Sequence, residues 1–351
     1  MSGRERERVS VLALAAFLVS GHRSVEKVCA NASELACGHD KTAHSGIRKL
    51  QFQIMQQQFN EKNKDIQIWV KDRLAPRADA KVSVFDSAVQ GGDAVWEGIR
   101  IYDGRIFCLD RHLERMQNSA HALAFANVPS SEYITDAIRQ TLRANGMFDN
   151  AHIRLTLTRG EKITSGMDPR LNQFGCTLIV LAEWKPPVYP PSIKLITSSI
   201  RRNNPMFLDS KIHHNNLLNN ILAKIEANYA GADEAIMLDS NGFVAETNSV
   251  NIFCIRNGQV LSPSPDACLP GITRGLVIEI CKENGIPVLE RNLSLTEFYT
   301  ADEVFCTGTM GELTKVAEID GRQIVNKSKL EVLAEIQVHF RRLTKEWGTP
   351  I

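Results

Sequence analysis

A mixed α/β fold in two domains is what the sequence predicts, and three observations carry that expectation. The chain has 351 residues, enough for two domains and a sizeable core. Strand-like and helix-like runs alternate without a regular βαβα rhythm, and no GxGxxG follows a strand, which argues against a dinucleotide-binding sheet. The segment KPPVYPPSIK, residues 185–194, concentrates four prolines that can lie inside neither a central strand nor a helix. It marks the boundary between a smaller N-terminal α/β domain, 66–184, and a larger one, 193–351, with 185–192 as linker.

Composition narrows the class. Hydrophobic residues make up 43% and charged residues 23%, ordinary values for a globular enzyme. A formal net charge of +1 gives no global electrostatic reason to expect nucleic acid or an anionic membrane as partner. The eight cysteines are scattered with no CxxC pair, so reduced, mostly buried thiols are expected rather than a zinc site or a disulfide scaffold; no metal is expected.

Residues 1–65 read as an extension. Val9 to Val19 form an apolar run too short to span a bilayer, which takes ~20 residues. It has the size of a signal-peptide core, but Glu5 and Glu7 interrupt the positive start and no small-x-small cleavage site follows. An organelle-targeting segment and an extension that addresses nothing stay open beside it, so cytoplasm, mitochondrion and plastid all remain candidate locations. The Gln-rich stretch before Glu61 reads as a loose or helical lead-in.

Globular patterning starts near Ile66. The run IQIWVKDRLAPRADAKVSVFD predicts a hairpin around its Pro/Asp cluster, and Asp103-Gly104 between two apolar runs predicts a second. Asp110 is the expected cap of a helix whose Leu113, Met116, Ala120 and Leu123 recur at helical spacing. A second helix is expected over residues 130–145, then strands in HIRLTLTRG and CTLIVLAEW. Past the prolines come a strand in IKLITSSI, a helix over 215–229, short strands broken by turns, a helix from Pro270-Gly271 to about Asn284, and a closing amphipathic helix.

Four segments then carry chemistry. DSKIHHNNLLNN, DEAIMLDSNGFVAETNSVNIF, CLPGITRGLVIEI and ADEVFCTGTMGELTKV resemble, in order, the signature blocks of class IV aminotransferases, the family of branched-chain and D-amino-acid aminotransferases and aminodeoxychorismate lyases. The likeness covers roughly residues 66–325. It implies a fold-type-IV architecture, D-amino-acid-aminotransferase-like, with a barrel-like large domain, a homodimer, and pyridoxal 5'-phosphate as cofactor.

That cofactor needs a lysine amine, an acidic partner for its ring nitrogen and an anion cradle for its phosphate. The resemblance assigns Lys211 as the Schiff-base lysine and Glu246 as the ring-nitrogen partner. It places the amides of Ile272 and Thr273 and the Arg115 guanidinium at the phosphate. The turn Gly308-Thr309-Met310 is implied to face both the phosphate and the substrate carboxylate. Arg100 and Arg154 are implied on the substrate side. A helix opening at Pro270 independently offers free N–H groups to an anion.

Gly91, His152 and Asn216 stand where branched-chain enzymes carry tyrosines, and the loop GEKITSGMDPRL lacks the Arg-x-His pair of the D-amino-acid branch. The expected reaction is transfer of an amino group between an amino acid, a branched-chain-like aliphatic one favoured, and a 2-oxo acid. Lyase, (R)-amine or D-amino-acid activity, or a catalytically silent binding role, stand as alternatives. His213 and His214 could be ring contacts or proton carriers, or could merely fill a helix start.

Overall fold

Strand β1 (Gln67–Val70) turns through Lys71, whose φ is +65°, into β2 (Arg73–Pro76). The computed structural model describes residues 57–351, all within one compact unit, Ile54–Ile351. The hairpin turn therefore falls at Lys71-Asp72, ahead of the Pro/Asp cluster. VSVFD is no strand: Phe85 donates its amide to Ser83 Oγ, and Asp86 caps the short helix α1 (Ser87–Gly91) through Ala88. Anchored structure also starts before Ile66. The Asn63 side chain brackets Trp184, accepting from its amide at 2.8 Å and donating to its carbonyl at 3.0 Å.

Strand β3 (Ala94–Tyr102) and β4 (Arg105–Ile106) meet across Asp103-Gly104, both at positive φ, as a two-residue hairpin requires. Helices α2 (Leu109–Ala122) and α3 (Ser131–Ala144) follow. Asp110 does not cap α2; it lies in the first turn, and Cys108 occupies the N-cap without a side-chain bond. Ser130 caps α3 by accepting from Tyr133. Strands β5 (Ala151–Thr158) and β6 (Thr177–Trp184) complete an all-antiparallel sheet in the order β4-β3-β5-β6-β1-β2. Leu113, Met116 and Ala120 of α2 and Ile134, Ile138 and Leu142 of α3 are buried in one core with this sheet.

The second sheet begins beyond the prolines with β7 (Ser192–Thr197). Helix α4 (Leu218–Tyr229) crosses to the parallel β8 (Glu234–Leu238), which pairs with β9 (Val244–Thr247). The helix starts three residues later than its pattern predicts, because Asn215 donates its amide to Ala94 and His214 bridges Val95; that backbone is committed to β3. A turn carries β9 into β10 (Asn251–Arg256), with Thr247 donating to the Val250 carbonyl. Then come β11 (Gln259–Ser262), α5 (Ile272–Glu283), β12 (Val288–Glu290), the short helix α6 (Leu295–Tyr299), β13 (Glu303–Gly308), β14 (Glu312–Ile319) and β15 (Arg322–Gln323). The order β12-β11-β10-β13-β14-β7-β8-β9, joined by the tight β9–β10 turn, curls the sheet back on itself. Helix α7 (Val332–Glu346) packs with α5 on one face, and β16 (Thr349–Pro350) returns to β4 in the first sheet.

Of the described cysteines, Cys254, Cys268, Cys281 and Cys306 are buried, Cys108 and Cys176 are half-buried, and none is bonded to another. Cys29 and Cys37, the apolar run 9–19 and the extension up to residue 56 lie outside the described residues. Among the described residues no helix is long and apolar enough to cross a membrane. None of their His, Cys, Asp and Glu side chains gather in a set of three or more able to hold a metal ion.

Candidate active site

One cavity of about 410 Å³ is walled by both sheets. From the first sheet come Trp96, Gly98, His152 and Arg154; from the second come Glu246, Asn251 and the turn 307–310, and α5 contributes its opening residues. A chamber of about 290 Å³ adjoins it and shares Trp96, Arg154, His213, Lys224 and Glu246. A larger groove, about 680 Å³, runs between α2 and α3; it lacks an anion cradle and a buried acid, so the chemistry favours the smaller cavity.

Glu246 sits at its floor on β9. The residue is 5% exposed, and its Oε1 accepts from Arg202 Nε at 2.6 Å and from the Leu269 amide at 3.4 Å. Asn251 Nδ2 donates to Oε2 at 3.0 Å. A carboxylate has about four lone-pair positions; three are filled here, so Oε2 keeps room for one more N–H. Burial raises the Glu246 carboxyl above its ordinary value, with the Arg202 ion pair pulling the other way.

Opposite lies the start of α5. Gly271 is its N-cap and no side chain closes the helix, so the first amides, Ile272 and Thr273, are left without the partner a capping side chain would supply. Both residues line the cavity. The approach is tight: a Cβ on Gly271 would meet Asn251 Oδ1 at 2.1 Å, and one on Gly308 would meet Val250 Cγ1 at 2.5 Å. Arg115, from α2, spends Nε and Nη2 on Glu97 at 2.8 and 2.6 Å and turns Nη1 to the Pro270 carbonyl at 3.4 Å. Thr307 Oγ1 is buried without a hydrogen-bond partner, and Thr307, Thr309 and Met310 line the same wall.

A second group of buried side chains gathers around Glu97, which the sequence did not single out, and takes in His213, whose role the sequence left open. Glu97 is fully buried and receives Arg115, His112 Nδ1 at 2.7 Å and His213 Nδ1 at 3.1 Å. Burial alone would push its carboxyl up, but His213, Arg115 and the bonds from Arg115 and His112 outweigh it and hold Glu97 well below the usual carboxylate range. Deeper in the cavity, Glu234 accepts from Tyr189 and Ser249, both at 2.9 Å, with Lys224 Nζ at 3.6 Å.

Most of the expected site residues thus converge: Arg115, Arg154, Glu246, Ile272, Thr273, Thr309 and Met310 all line one cavity. Two do not. Arg100 follows Trp96 and Gly98 on the same face of β3 but lies one step further towards the β3–β4 turn. It is 3% exposed and donates to the Lys185 carbonyl at 2.9 Å, away from the cavity. Lys211 sits at the rim with its side chain outward, Nζ 3.8 Å from Asp209 Oδ1 and 3.4 Å from the Asp266 carbonyl. Its neighbours Ser210, Ile212 and His213 line the adjoining chamber, so the backbone of this turn forms a wall of the site while the lysine faces away. His214, which bridges to Val95, has both ring nitrogens buried without a partner.

The pattern of the family described as "Amino-transferase class IV" matches residues 94–319. Over 291 residues the chain is 58% identical to "Branched-chain-amino-acid aminotransferase-like protein 2" of Arabidopsis thaliana, covering 82% of this chain and 52% of that protein. The chain therefore spans about half the length of that relative. A "Putative branched-chain-amino-acid aminotransferase" of Methanocaldococcus jannaschii is 41% identical over 287 residues, 82% of this chain and 99% of that one. Among solved structures, a T.th. branched-chain amino acid aminotransferase complexed with N-(5'-phosphopyridoxyl)-L-glutamate superposes with a TM-score of 0.75 at 35% identity, covering 81% of this chain and 96% of that one. The same enzyme has also been solved with 4-methylvaleric acid. By sequence, fold and cavity together, the chain belongs to the class IV aminotransferase family.

Proposed function

We propose that the chain is a pyridoxal-phosphate-dependent transaminase that moves an amino group between an amino acid, a branched-chain-like aliphatic one favoured, and a 2-oxo acid. The observation that carries this reading is the pairing in one cavity of a buried carboxylate with a free lone pair, Glu246, and an uncapped helix start, Ile272–Thr273, with Arg115 beside it.

When bound, pyridoxal phosphate supplies an aldehyde for amines and a ring that draws electrons from the substrate Cα. Glu246 Oε2 holds the proton at the ring nitrogen. The Ile272 and Thr273 amides and Arg115 Nη1 orient the phosphate, and the unpartnered Thr307 hydroxyl supplies a further bond on that wall. Thr309 and Met310 present the turn that faces the substrate carboxylate, and Arg154 gives it a cation. Lys211 would be the attachment amine, and its free amine the base for the α-proton; to serve there its side chain would have to turn inward from Asp209 and the Asp266 carbonyl.

Lys224 is the lysine that already lines the cavity, but its Nζ is engaged by Glu234 and the Asp233 carbonyl. Residues 66–184 and 193–351, hinged at the proline-rich segment, are taken as small and large domain. The partner we propose is a second copy of the chain, supported by the exposed apolar stripe of α4.

Incubation with pyridoxal phosphate should produce a visible absorbance, and borohydride should then fix the cofactor to Lys211 in a peptide map. Attachment at Lys224, or a colourless protein, overturns the reading. A screen of L- and D-amino acids with and without a 2-oxo acid identifies the donor. Turnover without an acceptor would indicate cleavage instead of transfer, and turnover of 1-phenylethylamine an amine transaminase.

A further inference from the structure

His213 is held more completely than a residue in a connecting segment needs to be. Its amide donates to Ser119 Oγ at 3.1 Å, its carbonyl accepts from the Trp96 amide at 2.9 Å, and its ring lies on Trp96 with centroids 4.1 Å apart. The ring therefore has one orientation. Nδ1 faces Glu97 Oε1 at 3.1 Å. Glu97 is ionised, being held by Arg115 and His112 as well, so Nδ1 must carry the proton and donate it.

Burial keeps the imidazole neutral, pushed down to about 4 despite the pull of Glu97. A neutral ring with Nδ1 protonated leaves a lone pair on Nε2, which has no partner among the described residues, while the ring lines both the cavity and its adjoining chamber. This is a fixed acceptor, not a proton reservoir. A ring that stays neutral down to pH ~4 is a poor general base at neutral pH.

The same Trp96 carries a cation. The Arg154 guanidinium lies 3.4 Å from its ring centroid, with one Nη2 bond to Asn215 Oδ1 at 3.1 Å. One indole thus has a permanent cation against one face and a ring with a permanent lone pair against the other. An α-amino acid presents the complementary pair on a single carbon: a carboxylate for the cation, and N–H groups for the acceptor. Resting on the transaminase reading above, we propose that His213 Nε2 receives an N–H of the substrate's amine and so orients the donor amino acid, with Arg154 taking its carboxylate.

The test separates the amine from the rest of the substrate. It uses holoenzyme, the fastest donor from the screen, and the same acid lacking its amino group as a competitive inhibitor, which for leucine is 4-methylvalerate. His213→Phe keeps a ring on Trp96 and removes the lone pair. It should raise KM for the amino acid by about 10-fold to 100-fold, as loss of a hydrogen bond to a charged group does. Ki of the amine-free acid should be unchanged. His213→Asn, which keeps an N–H for Glu97 and an oxygen for the substrate, should recover most of the loss and unfold like the wild type, whereas His213→Phe should unfold somewhat earlier through its lost bond to Glu97. If KM and Ki rise together, or neither changes, His213 serves packing only and the proposal is overturned. If wild-type holoenzyme turns over no amine at all, the transaminase reading has failed and this inference falls with it.

Discussion

Burial among Lys185, Arg100 and Arg154 holds His152 down at about 3, against an ordinary value of 6.5. A histidine whose folded value lies below its unfolded one favours folding fully above the unfolded value and loses that contribution as pH falls. For His152 the window runs from 6.5 down to about 3. Each such histidine steepens the loss by up to about 1.4 kcal/mol per pH unit. His152→Phe should therefore flatten the fall in urea midpoint between pH 6.5 and 4 relative to wild type; parallel curves would mean that His152 meets solvent. Gly271 is a second residue-scale test. Gly271→Ala drives a methyl into Asn251, which holds both Glu246 Oε2 and the Leu269 carbonyl. A loss of about 1–3 kcal/mol in stability is expected, together with weaker pyridoxal phosphate uptake in an absorbance titration. Gly275→Ala, with open space around its Cβ inside the same helix, is the control: it should leave cofactor uptake at the wild-type value and raise stability by about 0.5–1 kcal/mol. At this scale the motifs named residues that the structure brings to the cavity, as with Glu246 and Arg115, and two, Lys211 and Arg100, that it does not. The sequence left His213 open between ring contact, proton carrier and helix-start filler, because a histidine pair carries no pattern that chooses among them; only the closure of β3 against residues 213–215 brings it to Glu97 and Trp96.

Helix α4 turns its hydrophobic face the wrong way for an isolated chain. Leu218, Ile221, Leu222, Ile225 and Tyr229 recur at helical spacing and are 42–85% exposed, while Ala223 and Ala227 face the core. A stripe of that spacing and exposure marks an association surface. Light scattering should give a dimer for the wild type and a monomer for the double variant Leu218→Glu, Ile221→Glu; a monomeric wild type would remove the proposed partner. Elements with a strong local signal lie where the sequence predicts them. The Asp103-Gly104 hairpin does, and so does α3 with Ser130 as its cap. Elements placed by alternation alone moved: VSVFD has the period of a strand, but Asp86 commits its end to capping α1.

Across the whole molecule, the two sheets are built from segments either side of the proline-rich stretch, yet the last strand, β16, returns to the first sheet. The cavity is likewise joint property: Arg115, His152 and Arg154 come from the first half of the chain, Glu246 and Thr273 from the second. The sequence by itself determined the family, and it singled out Glu246 and the helix start at Ile272–Thr273, because each depends on a local pattern that survives without knowledge of the fold. Tertiary structure alone decided three things: that Arg100 is spent on the Lys185 carbonyl outside the cavity, that Lys211 stands at its rim, and that His213 meets Glu97. Each depends on which strand face or turn a side chain is carried to, and that is set by pairings between residues up to 116 positions apart, as in the bond from His213 to Glu97.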